Sequence, residues 1–128
     1  MADPISDMFI RIKNAQNAGH DTVQFPYSRM KHEIARALER TGFVGHAERK
    51  GKRVKKFLEV ALIGGKEKPG LRGIKLISTP GRRVYISYKD MRAASHGGAV
   101  LLTTSKGILS GNEARRDKVG GQLLAEVW

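Results

Sequence analysis

The chain has no cysteine, which excludes a disulfide framework and any thiolate metal centre. Aromatic residues make up only 6% of the 128 residues, and they form no RNP-like stacking motif. Carboxylates are few, 12 against 24 lysines and arginines. Most read as helix caps or surface charges, so no general acid–base pair can be assembled. Long apolar runs are missing too. The longest uncharged stretch, Ala93 to Ser105, includes His96 and two glycines and is too short to span a bilayer. Met1-Ala2-Asp3-Pro4 has neither the basic start nor the apolar core of a signal peptide. The expectation is a soluble intracellular protein.

What the sequence has is positive charge, a formal net +12. Residues 1–64 hold 12 basic and 7 acidic side chains (+5), and residues 65–128 hold 12 and 5 (+7). This even spread points to a folded body with basic faces rather than a basic tail. A polyanionic partner follows, because each Lys or Arg that neutralises a phosphate releases a condensed counterion. Nucleic acid fits better than an anionic membrane, since no strongly basic amphipathic helix is present.

Periodicity predicts an α-β-α-β-β first half. Asp3-Pro4 opens a helix as N-cap and first helical residue, with Ile5, Met8, Phe9 and Ile12 on one face and Gly19 as terminator. Thr22 to Phe25 alternates as a short strand ended by Pro26. Ser28 caps a second helix with Met30, Ile34, Ala35 and Leu38 as its apolar stripe, closed by Gly42. Two strands follow, Phe43 to Arg49 and Val54 to Ile63, joined by a tight turn at Lys50-Gly51-Lys52. Residues 65–70, rich in glycine and charge, read as a linker between subdomains 1–64 and 71–128.

The second half reads as mostly strand, with Ile74 to Ser78, a turn at Ser78-Thr79-Pro80-Gly81, and a returning strand from Arg82 to Ile86. Tyr88 to Arg92 reads as a helical turn and Gly97-Gly98 as a bend. Ala99 to Leu102 is a short apolar strand. Thr103-Thr104-Ser105-Lys106-Gly107 is then a connection leading to Ser110-Gly111-Asn112-Glu113, a capping box that opens a helix ending near Asp117. Gly120-Gly121 precedes a terminal strand from Leu123 to Trp128. The fold class expected is α+β.

Enzyme motifs fail on inspection. His32-Glu33-Ile34-Ala35-Arg36 has Arg36 where a helical zinc motif needs its second histidine. Gly64-Gly65-Lys66 is followed by Glu67, not the hydroxyl a P-loop needs for magnesium. Thr103-Thr104-Ser105-Lys106 matches hydroxyl-x-x-Lys, but it follows a strand and has no companion Lys-Thr-Gly element. The expectation is a non-enzyme without cofactor, metal or small-molecule substrate. A general DNA-binding protein and a protein–protein scaffold stay open as alternatives on these grounds.

The residues carry a resemblance. Ser78-Thr79-Pro80-Gly81-Arg82-Arg83-Val84-Tyr85, then Thr103-Thr104-Ser105-Lys106-Gly107-Ile108-Leu109-Ser110-x-x-Glu113-Ala114, then Gly120-Gly121 before a closing strand, are similar in order and spacing to the small-subunit ribosomal proteins numbered eight. Asp3-Pro4-Ile5-x-Asp7-Met8, Arg11-Ile12-x-Asn14-Ala15 and Pro26-x-Ser28-x-x-Lys31 resemble the same family. The resemblance covers nearly the whole chain. It implies a cytoplasmic, two-part α+β protein of the small ribosomal subunit that binds 16S rRNA early in assembly, at a helix with an irregular internal loop, and helps build the central domain and platform. It also implies other small-subunit proteins as neighbours, no membrane, and, in bacteria, repression through a mimic of the site in the protein's own mRNA.

By that carry-over, the RNA contacts of the second half are Thr103, Thr104, Ser105, Lys106, Gly107, Ser78, Thr79, Arg82, Arg83, Tyr85 and Gln122. Those of the first half are Arg11, Asn14, Ser28, Lys31 and Lys55. Short hydroxyls such as Thr104 and Ser105 both donate and accept, which suits 2′-OH groups and exposed base edges. Lys106 supplies a phosphate contact and Gly107 lets the backbone approach. Tyr85 has two readings from the residues alone, a half-buried strand aromatic or a stacking group. Four places depart from the family pattern: Thr103 for Ser, Thr79 for Lys, Gln122 for Glu, and Ser95-His96-Gly97-Gly98 for a Gly-Leu-Gly turn.

Overall fold

The structure is a computed structural model that describes residues 4–63, 70–79, 81–91 and 97–128. The elements are α1 (Pro4–Asn17), β1 (Thr22–Pro26), α2 (Arg29–Arg40), β2 (Ala47–Lys50), β3 (Phe57–Ala61), β4 (Ile74–Leu76), β5 (Tyr85–Ile86), a 3₁₀ turn (Tyr88–Asp90), β6 (Ala99–Thr104), β7 (Gly107–Ser110), α3 (Gly111–Asp117) and β8 (Gly121–Val127). The fold is α+β, and the chain divides into two compact units, Met1–Arg72 and Gly73–Trp128. The Asp3 cap and most of the expected linker lie outside the described residues.

In the first unit, β3 is the centre of an antiparallel sheet of order β1-β3-β2. Strand alternation decides its inward face: Val23 and Phe25 of β1 and Leu58 and Val60 of β3 are buried. Helix α1 packs against β1, and α2 against β2 and β3. They contribute Met8, Phe9 and Ile12, and Ile34, Ala35, Ala37 and Leu38. Ser28 is the N-cap of α2, accepting from the Lys31 N–H at 3.2 Å. Gly19 and Gly42 end the two helices with φ of +79° and +88°.

Several expected boundaries change. Met30 is 43% exposed and does not belong to the buried stripe, because α2 has only begun there. Regular pairing in β2 covers only Ala47 to Lys50, and β3 starts at Phe57 rather than Val54. The tight turn expected at Lys50-Gly51-Lys52 is a longer connection, residues 51–56, pinched at Gly51 (φ +95°). A Cβ on Gly51 would collide with the Lys55 carbonyl.

The second unit has β8 as its spine. β8 pairs with β4 and β5 on one side and β6 on the other, and β6 pairs with β7. The strand expected from Arg82 to Ile86 pairs only at Tyr85 and Ile86, since Arg82 is held in a turn by Thr79. The terminal strand starts two residues earlier than expected, at Gly121. The largest correction concerns residues 103–107. They are not a link from strand to helix: Ile108 and Leu109 pair with Thr103 and Leu102. The stretch is therefore the tip of a β-hairpin, and α3 starts only after β7, on the capping box of Ser110 and Glu113. Met91, Leu102 and Ala114 form a small core, with Ile86, Val119 and Leu123 packed against it.

Candidate nucleic-acid interface

The hairpin tip is fixed by its own hydroxyl. Thr104 Oγ1 donates to the Gly107 carbonyl at 2.9 Å and accepts from the Lys106 N–H at 3.1 Å. Gly107 sits at φ +103°, a region an L side chain resists. Ser105 and Lys106 occupy the two turn positions and are exposed. The Ser105 hydroxyl has no hydrogen bond among the described residues, so both its donor and its lone pairs point to solvent.

A second turn stands beside the start of β8. Thr79 and Arg82 exchange backbone hydrogen bonds at 2.8 and 3.0 Å, which makes Thr79 the first residue of that turn. Ser78 is buried, and its Oγ accepts from the Val84 N–H at 3.0 Å. The turn is tied to β8 by Leu123 N–H to Val84 O at 2.8 Å and Ile77 N–H to Leu124 O at 2.9 Å. Thr79, Arg82 and Arg83 are exposed on it.

Between these turns, register lines up a row across three strands. Tyr85 faces Gln122 on β8, and Gln122 faces Thr103 on β6. Directly opposed residues of antiparallel strands share a face. Tyr85 is 71% exposed, so the half-buried reading of this tyrosine is overturned. The adjacent row, Ile86-Gly121-Thr104, explains the glycine pair. A Cβ on Gly121 would strike the Thr103 carbonyl, and one on Gly120 would lie 2.5 Å from the Ile86 carbonyl. Only glycine lets β8 enter between its neighbours. The start of β8 thus gathers the whole set expected in this unit: the Ser78–Arg83 turn, Tyr85, Gln122 and residues 103–107.

Lys118 is absent from those expectations. It ends α3 in the left-handed region, φ 56°, exposed and three residues before Gly121. Nothing in the local sequence signals it, because the left-handed position is usually glycine.

The expected residues of the first unit are arranged differently. Arg11 is occupied: its Nη2 donates to the Gln24 carbonyl at 2.9 Å, and its guanidinium lies 4.9 Å from the Phe25 ring centroid. Asn14, one turn along α1, is exposed. Ser28 spends its hydroxyl on the α2 cap, with Lys31 half-buried beside it. Lys55 is exposed on the 51–56 connection, which meets the start of α2 through Tyr27 N–H to Lys56 O at 3.3 Å. Ser28, Lys31 and Lys55 therefore share a region, while Arg11 and Asn14 lie along α1. Ser28, Ser78 and Thr104 share a further property: each hydroxyl is used to hold local backbone.

Among the described residues no His, Asp or Glu cluster is able to hold a metal, and no helix is long and apolar enough to cross a membrane. The family model described as ribosomal protein S8 matches residues 3–128. The chain is similar to small ribosomal subunit protein uS8 of Dictyoglomus thermophilum, 40% identical over 100% of this chain and 98% of the relative. It is also similar to the uS8 proteins of Sorangium cellulosum (41%, covering 100% and 99%) and Synechococcus sp. (40%, covering 98% and 97%).

Proposed function

This chain belongs to the ribosomal protein S8 family, a structural component of the small ribosomal subunit, and from that membership we propose that its second unit binds 16S rRNA at a helix interrupted by an irregular internal loop. The observation that carries the proposal is the convergence at the start of β8, where one unpartnered hydroxyl (Ser105), a lysine (Lys106), two arginines (Arg82, Arg83) and an exposed tyrosine (Tyr85) come from two separate chain segments.

An A-form helix hides its bases in a deep, narrow major groove and offers 2′-hydroxyls in a shallow minor groove. An internal loop exposes base edges as well. Ser105, at the most advanced point of a rigid tip, donates to or accepts from either. Thr104 and Ser78 act one step back, holding the two turns in shape. Lys106, Arg82 and Arg83 neutralise phosphates, and Tyr85 packs on a sugar or an unstacked base. Gln122 keeps hydrogen-bonding capacity without the negative charge of a glutamate. In the first unit, Lys31 and Lys55 hold backbone phosphates near the start of α2. Arg11 is presented at a fixed position by Gln24 and Phe25, with Asn14 alongside. Early binding through these groups would order the central domain and platform for later proteins in the cytoplasm. A messenger segment that folds into the same irregular helix would be accepted by the same groups, which makes repression of the protein's own translation part of the proposal.

Filter binding across a salt series tests this, using a 16S fragment with the internal loop, the same fragment with the loop replaced by paired bases, and duplex DNA. Ser105→Ala is expected to weaken internal-loop binding about fivefold, the worth of one hydrogen bond of roughly 1 kcal/mol, and to leave the paired RNA unchanged. Equal losses on both RNAs would remove the recognition role, and preference for duplex DNA would remove the proposal itself. Lys55→Ala should weaken both RNAs and reduce the salt slope by about one.

A further inference from the structure

Beginning beside Ser28 and Lys31 at the start of α2, the first unit has an open groove of about 660 Å³ between α2 and β2, with Tyr27 among its lining residues. Arg29 and Arg36 enter it from α2, seven residues apart and therefore on one helical face, and Arg49 enters from β2. None of the three has a carboxylate partner among the described residues. Arg49 lies over the Tyr27 ring, 5.5 Å from its centroid. Glu33 and Glu48 line the same groove and form no ion pair among the described residues, Glu48 acting on Lys50 only through its charge. A neighbouring acid shows the contrast: Glu39 is committed, accepting from the Ala47 N–H at 3.2 Å and lying 3.5 Å from His46 Nδ1.

The wall between the arginines is His32. Its Nδ1 is 3.2 Å from the Tyr27 hydroxyl, and its Nε2 is buried, with the Ala47 backbone acting on the ring. Burial first, then Arg36, holds its pKa below the ordinary value, so the wall stays neutral and does not add to the groove's charge. The groove therefore offers three unpaired guanidiniums and two unpaired carboxylates side by side. A nucleic-acid strand presents one sign of charge only, and Glu33 and Glu48 would repel its phosphates. A protein segment that carries an Asp or Glu next to a Lys or Arg satisfies both sets.

We propose that this α2–β2 groove is a docking site for such a mixed-charge segment of another small-subunit protein, with its carboxylate between Arg36 and Arg49 and its cation at Glu48 or Glu33. The partner class rests on family membership, and the site is independent of the RNA-binding surface at the start of β8.

The test places a photo-crosslinking amino acid at position 46, an exposed position lining the groove, and assembles that protein into small subunits. Irradiation should give an adduct with one ribosomal protein, at a peptide with adjacent acidic and basic residues. The double variant Arg36→Glu, Arg49→Glu should reduce the adduct at least tenfold and leave filter binding to the 16S fragment within twofold. That parallel measurement separates failure here from failure of the rRNA reading. An adduct to RNA, an adduct to a peptide lacking a carboxylate, no adduct, or an adduct unaffected by the double reversal would each overturn the proposal.

Discussion

In the first unit the largest buried side chains, Phe9, Phe25, Met8, Ile12, Ile34, Leu38 and Leu58, come from two helices and the two longer strands of a small sheet. In the second unit the buried side chains, Leu101, Leu102, Ile108, Leu109, Leu124 and Val127 among them, come almost wholly from strands, and several glycines in or beside those strands are closely approached. Gly73 abuts the Trp128 ring, Gly98 the Val127 carbonyl, Gly120 the Ile86 carbonyl and Gly121 the Thr103 carbonyl. Both units are filled by buried side chains; the first has its close glycine approaches outside its strands, as at Gly51, while the second has them within its sheet, at Gly121. The difference matters for binding. A surface assembled from backbone approaches and two-residue turns keeps Ser105, Arg83 and Tyr85 at fixed separations, which recognition of an irregular RNA requires.

The comparison breaks most sharply with one mutation in each unit. Gly121→Ala places a methyl against the Thr103 carbonyl and should cost about 3 kcal/mol, at the upper end for overpacking, because backbone cannot yield as a side chain does. Leu58→Ala in the first unit should cost a similar amount for the opposite reason, a cavity left behind. Hydrogen exchange separates the two. Gly121→Ala should lower amide protection chiefly in β5, β6 and β8, and Leu58→Ala chiefly in β1, β2 and β3. If Gly121→Ala leaves protection of β6 unchanged, the second unit does not depend on that close approach.

The two hydroxyls of the tip sharpen the contrast between holding and touching. Thr104→Val removes a donor to Gly107 and an acceptor for Lys106, so it should lower stability by about 1 kcal/mol and weaken binding to the internal-loop RNA. Ser105→Ala should leave the melting temperature within error and affect RNA affinity alone. A melting temperature lowered equally by both would mean that Ser105 also supports the turn.

The two units differed in how far their sequence could be read. Periodicity found α1, α2 and the inward residues of β1 and β3, because those elements are amphipathic and their core residues recur at helical or strand spacing. It failed at Met30, where the stripe begins before the helix reaches its neighbours. In the second unit, Ser110-x-x-Glu113 announced the helix cap, since a capping box is a local bond between residues three apart. The hairpin at 103–107 was misread as a strand-to-helix link, because Ile108 and Leu109 are too few to show a period and their partners are Thr103 and Leu102. The row Tyr85-Gln122-Thr103 was not legible as a row at all. Its members are 37 and 19 residues apart, and only strand register brings them together.

Lys118 gives a smaller effect of opposite sign. Its left-handed backbone costs a lysine energy that a glycine would not lose. Lys118→Gly should raise stability by about 0.5–1 kcal/mol. If Lys118 also reaches the RNA bound at the start of β8, the same variant should bind internal-loop RNA more weakly while melting higher. A stabilised protein with unchanged affinity would assign it to the helix end alone.

The smallest effect belongs to the first unit and to pH. Burial and the nearby Arg36 hold the His32 pKa below its ordinary 6.5. Between that value and the lower folded one, the unfolded chain binds a proton that the folded chain does not. Stability from this histidine is therefore present above pH 6.5 and declines as pH falls through the folded pKa. Protonation would set an imidazolium beside Arg36 and Arg49. Nuclear magnetic resonance titration of the His32 ring should give a midpoint below 6.5, and Arg36→Gln should move that midpoint upward. A smaller upward movement is expected for Arg49→Gln, which stands lower among the causes of the shift. If neither variant moves it, burial alone holds the ring neutral, and the arginines of the groove lie farther from His32 in solution than their shared wall implies.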